Sequence, residues 1–92
     1  MKFEWDTEKA LKNQKKHNVD FEEAQTIFDD ALAAIFDDEW NSLGEHRELI
    51  IGFSNKKRLL IVSFTERAQG VVRIISSRPA TTQERKNYEQ HR

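Results

Sequence analysis

At 92 residues, with 37% hydrophobic and 34% charged side chains, the chain has the size of one domain built on a single modest core. No apolar run approaches the ~18 residues needed to span a bilayer. The opening MKFEWDTEK carries acids where a targeting peptide would avoid them, so a cytosolic location is expected. Zero cysteines exclude disulfides, thiolate metal ligation and a cysteine nucleophile. The net charge of −1 hides an asymmetry. Residues 1–46 hold 5 Lys/Arg against 12 Asp/Glu, and residues 47–92 hold 10 against 4. Such a dipolar chain suits an anionic partner near its C-terminal half and a cationic one near its acidic half, unless folding intermixes the two.

In chain order, Phe3–Trp5 reads as a short strand, and Asp6 as the N-cap of a helix over Thr7–His17. Lys15, Lys16 and His17 suit the negative pole of that helix, and Asn18 suits the left-handed cap behind it. Asp20 and Glu23 have the spacing of a capping box. Phe21, Ala24, Ile27 and Phe28 then recur as the apolar face of a second helix. Ala31–Phe36 is read as a strand, with Asp37-Asp38-Glu39 as a polar turn behind it. Glu48–Ser54, Leu59–Arg67 and Val71–Arg78 form an antiparallel meander, with Asn55-Lys56-Lys57 and Ala68-Gln69-Gly70 as its hairpins. After Pro79, Thr81 and Glu84 again match a capping box. They open a short last helix whose only sizeable apolar side chain is Tyr88. That helix docks through Tyr88 or stays loosely attached.

Alternation along the meander places Leu49, Ile51 and Phe53, Leu60, Val62 and Phe64, and Val72 and Ile74 on an apolar face that receives the two N-terminal helices. The opposite parity carries Ser63, Thr65, Arg67, Arg73 and Ser77, and reads as the more polar face, interrupted by Ile50, Leu59, Ile61, Val71 and Ile75. Arg67 and Arg73 therefore share a face on neighbouring strands, and Arg78 ends its strand just before a helix N-terminus that itself attracts anions. Guanidinium groups match phosphate oxygens in geometry and never lose their charge. Converging on one spot, the three could stabilise charge building on a phosphorane. The plain alternative is a solvated sheet face. His17 is a candidate acid or base, or simply a cation at a helix C-terminus. His46 and His91 have no partner at ligand spacing, and Asp37-Asp38-Glu39 lacks the spaced oxygens of a calcium loop. No metal and no cofactor are expected.

Taken together, these residues resemble the BrnT family, toxin components of bacterial type II toxin–antitoxin systems. Phe3-Glu4-Trp5-Asp6, Lys9, Asn13, Lys16-His17 and Val19 through Ala24 look like its N-terminal signature. Arg47 and Ile51-Gly52 look like its middle strand. Leu59 to Arg67, Arg73 to Ser76, Arg78, Ala80-Thr81 and Glu84-Arg85 through Tyr88 look like its C-terminal signature. The resemblance covers nearly the whole chain. Asn18 stands where glycine is usual, and Ser77 where alanine is usual before the arginine.

The resemblance implies an α+β, compact RelE-like fold over residues 1–92, with two N-terminal helices on an antiparallel sheet and a short C-terminal helix. It also implies a ribonuclease that arrests translation, and a cognate BrnA-like antitoxin that blocks it and binds operator DNA. The expected chemistry is metal-independent cleavage by 2′-hydroxyl attack. Arg67, Arg73 and Arg78 would clamp the phosphate, His17 would move the proton, and Tyr88 would position the phosphate or share the transfer. Asp20–Glu45, nine acids with no Lys or Arg, is the expected antitoxin surface. The competing expectation is a non-catalytic module whose exposed sheet and arginines grip protein or nucleic acid.

Overall fold

The computed structural model describes residues 1–38 and 45–90. In chain order these form β1 (Lys2–Glu4), α1 (Thr7–His17), α2 (Phe21–Thr26) with a 3₁₀ turn at Ile27–Asp29, β2 (Ala34–Asp37), β3 (Glu48–Phe53), β4 (Leu59–Arg67), β5 (Val71–Pro79) and α3 (Thr82–Gln90). The strands make one five-stranded sheet in the order β1-β5-β4-β3-β2. The β2–β5 ladders are antiparallel, and β1 joins β5 in parallel through Lys2↔Val71 to Glu4↔Arg73.

Short polar side chains fix the helix starts. Asp6 Oδ1 accepts from the Lys9 N–H at 3.1 Å, and Asp20 Oδ1 from the Glu23 N–H at 2.7 Å, each satisfying a donor that a first turn leaves without a partner. Asn18 closes α1 in the left-handed region at φ 56°. The expected box at Asp20 is only half formed, because the Glu23 carboxylate turns away. It accepts from Arg58 Nε at 2.9 Å, Arg58 Nη2, and Ser54 Oγ at 2.7 Å. Arg58 Nη2 also donates to the Asn18 carbonyl at 3.0 Å. One buried carboxylate thus ties α2 to the β3–β4 hairpin.

α1, α2 and the 3₁₀ turn cover one face of the sheet. Phe21, Ala24 and Ile27 meet Ile50, Leu60, Val62, Phe64, Val72 and Ile74 there, and Phe28 stands edge-on to Phe3 and Phe64. This corrects the alternation assigned to β3. Ile50 pairs with Val62 and Gly52 with Leu60, so the even positions of β3 face the helices. Leu49, Ile51 and Phe53 point the other way. Gly52 is required by a close approach, since a Cβ there would lie 2.9 Å from the Ala33 Cβ. The opposite face is accordingly not simply polar. Ile51, Leu59 and Ile61 form a second small core with Tyr88, and this patch seats α3. The polar turn expected at Asp37-Asp38-Glu39 also needs correcting. Asp37 pairs with Glu48 inside β2, and the Asp38 N–H donates to the Arg47 carbonyl at 3.0 Å; Glu39 lies outside the described residues.

One irregularity shapes everything that follows. Ser63 pairs with Ser76, but Phe64 pairs with Ile74, leaving Ile75 as an extra residue in β5. Such a bulge reverses the side-chain parity beyond it. Ser77, expected on the polar face, is instead 1% exposed on the helix side. Its backbone N–H and carbonyl are both bonded to the Asn13 amide, at 3.0 and 2.9 Å. Asn13 thereby stands in for a missing strand along the edge of β5 that β1 is too short to reach.

Candidate active site

Because of the bulge, Arg73, Ser76 and Arg78 all lie on the α3 side of the sheet although their numbers differ in parity. Strand pairing arranges that face in rungs. Arg78, Ile61 and Ile51 form one, Ser76, Ser63 and Leu49 the next, and Arg73 with Thr65 a third. A cleft of about 360 Å³ opens between the outer rungs. It is lined by the buried Ser63 and the exposed Ser76 together with Arg47, Arg78 and Asp38. Two hydroxyls between guanidinium groups make a pocket suited to a tetrahedral oxyanion.

Arg78 is the best-defined cation of this cleft. Its Nη1 and Nη2 donate to the two oxygens of Glu84 at 2.7 and 2.9 Å, and Nη1 also approaches the Pro79 carbonyl at 3.3 Å. A guanidinium has five N–H donors, so this fork fixes its plane and still leaves donors for a ligand. Glu84 is itself held by the reciprocal capping box read from the sequence. Its Oε1 accepts from the Thr81 N–H at 2.8 Å, and its own N–H donates to Thr81 Oγ1 at 3.1 Å. The hydrogen bonds from Arg78, aided by Thr81, hold its carboxyl down at about 2 against burial.

The other expected residues divide into two groups. Arg73 Nη1 and Arg67 Nε converge on Glu4 Oε2 at 2.7 and 3.5 Å, so these two do meet. They do not meet Arg78. The rung of Arg73 and that of Arg78 are four residues apart on β4, from Thr65 to Ile61, or roughly 14 Å at strand rise. The expectation of three guanidinium groups over a single spot is therefore replaced by an Arg67–Arg73 pair and a separate Arg78, with the serine cleft between. His17 ends α1 on the outer side of β5. It lines a second cleft of about 240 Å³, whose wall includes the same Ile75 and Ser76. Tyr88 is buried as the anchor of α3. Its hydroxyl donates to the Leu32 carbonyl at 3.1 Å, and its ring lies 6.1 Å from that of Phe53.

Sequence reading missed Ser63 and Ser76 as a pair, since only the bulged register sets them opposite each other. It missed the second bond network of Glu23 because a capping role already accounted for that residue. In the sequence His46 has no partner at ligand spacing. Folding brings its Nε2 to 3.3 Å from Asp37 Oδ1, with a Glu48 carboxylate oxygen within the same 4.8 Å group. That trio is largely exposed and lies at the end of the β2–β3 ladder.

The sequence matches the family model for the "ribonuclease toxin, BrnT, of type II toxin-antitoxin system" over residues 5–84. Among solved structures, the Brucella abortus ribonuclease toxin BrnT superposes with a TM-score of 0.70 at 26% identity, covering 89% of this chain and 99% of that one. No curated protein sequence matches.

Proposed function

Since the chain belongs to the BrnT family of ribonuclease toxins of type II toxin–antitoxin systems, we propose that it cleaves RNA in the cleft lined by Ser63 and Ser76. The reading treats residues 1–92 as one RelE-like toxin domain acting in the cytoplasm. The observation that carries it is the cleft itself, in which two hydroxyls lie between arginines and one guanidinium is aimed by a carboxylate.

The reaction is an in-line attack of a ribose 2′-hydroxyl on the adjacent phosphorus, with the 5′-oxygen of the next nucleotide leaving. One P–O bond forms and one breaks, giving a 2′,3′-cyclic phosphate and a 5′-hydroxyl. Negative charge builds on the non-bridging oxygens, and Arg78 with the serine hydroxyls is placed to donate to them. Arg73 and Arg67, one rung beyond, bind the neighbouring phosphate. His17, reached across the exposed Ser76, is the candidate to take or return a proton. Tyr88 serves the reaction indirectly, by holding α3 and with it Glu84.

The toxin's partner is an antitoxin, which we read as BrnA-like, carrying the operator-binding activity itself. Its docking surface is smaller than the acidic run of sequence, because Glu23, Asp30 and Asp37 are engaged within the fold. Exposed Glu22 and Asp29 remain, close in sequence to Leu32, Ile35 and Phe36, which are about half exposed. A partner segment combining basic and apolar residues suits that strip.

Purified protein incubated with RNA in EDTA tests the reading. Cyclic-phosphate and 5′-hydroxyl ends are expected. RNA that is bound yet intact would instead make the chain a non-catalytic binding module.

A further inference from the structure

Three exposed lysines, Lys9, Lys12 and Lys16, recur along α1 at spacings of three and four, which stacks them on one helical face. That face is not free to turn. Asn13, between them, is buried and bonded to Ser77 of β5 and to the Val19 carbonyl. All three lysines and His17 consequently line the 240 Å³ cleft on the outer side of β5. Ile75 and Ser76 belong to this cleft and to the arginine–serine cleft alike. The bulge is thus a low wall between two basic depressions, one on the α3 face of the sheet and one at its edge. None of the three lysines takes part in an ion pair among the described residues, whereas Arg58, Arg67, Arg73 and Arg78 each face a glutamate.

We infer that the lysine face of α1 is the binding track for the RNA backbone that flanks the cleavage point. A single strand crosses the edge of β5 over Ile75 and Ser76, passing from one cleft into the other. The inference rests on the ribonuclease reading and adds where the strand runs. Lysine is suited to such a role, as a mobile point charge that contacts phosphates without selecting sequence. Each neutralised phosphate of a single strand contributes about 0.7 to the slope of log affinity against log salt.

The test uses a fluorescent 2′-O-methyl oligoribonucleotide, which cannot be cleaved, titrated at several salt concentrations. Lys9→Gln/Lys12→Gln/Lys16→Gln is compared with a charge-matched control, Lys56→Gln/Lys57→Gln/Lys86→Gln. With melting temperatures matched, the α1 variant should bind at least ~10-fold more weakly at low salt, with a slope shallower by about 2. The control should resemble the wild type. In parallel, cleavage of an unmodified RNA should show a raised KM and a kept kcat for the α1 variant. Equal affinities and slopes for the two variants would overturn the track while wild-type cleavage leaves the ribonuclease reading intact. A wild type that neither binds nor cleaves RNA would overturn both.

Discussion

Two arginine–glutamate forks of similar geometry sit on opposite faces of this sheet, and their surroundings separate them. On the helix side, Glu23 is 3% exposed and accepts from Arg58 and the Ser54 hydroxyl, and Arg58, 34% exposed along its side chain, also donates to the Asn18 carbonyl. On the α3 side, Arg78 is 41% exposed along its side chain and borders a cleft with two serines and a second arginine. The first fork closes a junction between α2 and the β3–β4 hairpin. The second aims a cation outward. Similar pair chemistry therefore serves different ends, and what decides is the company each arginine keeps: Arg58 bridges Glu23 and the Asn18 carbonyl, whereas Arg78 lines a cleft with Ser63, Ser76 and Arg47.

The contrast is sharpened first by Arg78→Ala. Losing a donor to a developing oxyanion costs on the order of 10²–10³ in rate. The single-turnover rate per folded molecule should fall by that much, while the protein stays folded with a melting temperature lowered by the lost contact to Glu84. Glu23→Ala should do the reverse. Removing one member of a well-buried ion pair costs about 3–5 kcal/mol, and the partial exposure of Arg58 lowers this to about 2–4 kcal/mol. Urea unfolding should reveal the loss, while the rate per folded molecule stays within about twofold.

Acid should act on both forks in the same direction. Arg58 holds the Glu23 carboxyl below the ordinary carboxylate range, and Arg78 holds that of Glu84 at about 2. Depressed carboxyls contribute fully above the unfolded value, near ~4.3, and lose that contribution as pH falls through the folded one. Melting temperature should therefore hold steady above about pH 5 and decline between about pH 4.5 and 2. Glu84→Gln should flatten part of that decline. The smallest effect is expected at Ser77, whose Oγ is buried without a hydrogen-bond partner among the described residues. Ser77→Ala removes the burial cost of a hydroxyl and should raise stability by up to about 1 kcal/mol, measured by denaturant titration.

The extent to which the fold could be read from the sequence follows the range of the interactions concerned. α1 runs over the expected Thr7–His17, and β4 over Leu59–Arg67, because caps, lysines at a helix end and strand composition act within a few residues. The parity of β3 was not legible. Its alternate positions are apolar on both faces, Ile50 on one and Leu49 and Ile51 on the other, so the pattern has no preferred side. Nor was the bulge at Ile75 legible, since it arises where Asn13 of α1 grips the edge of β5 at Ser77, 64 residues away in sequence. Without it, strict alternation separates Arg73 from Arg78 and puts Ser77 among the exposed groups. The arginines were identifiable by type, but which of them share a site was not.

The most direct measurement sets Arg78→Ala against Arg58→Ala in one single-turnover RNA cleavage experiment in EDTA, with the folded fraction of each measured alongside. The account expects Arg58→Ala to cleave at nearly the wild-type rate per folded molecule, and Arg78→Ala to stay folded while losing at least two orders of magnitude. Full activity in a folded Arg78→Ala protein would contradict it.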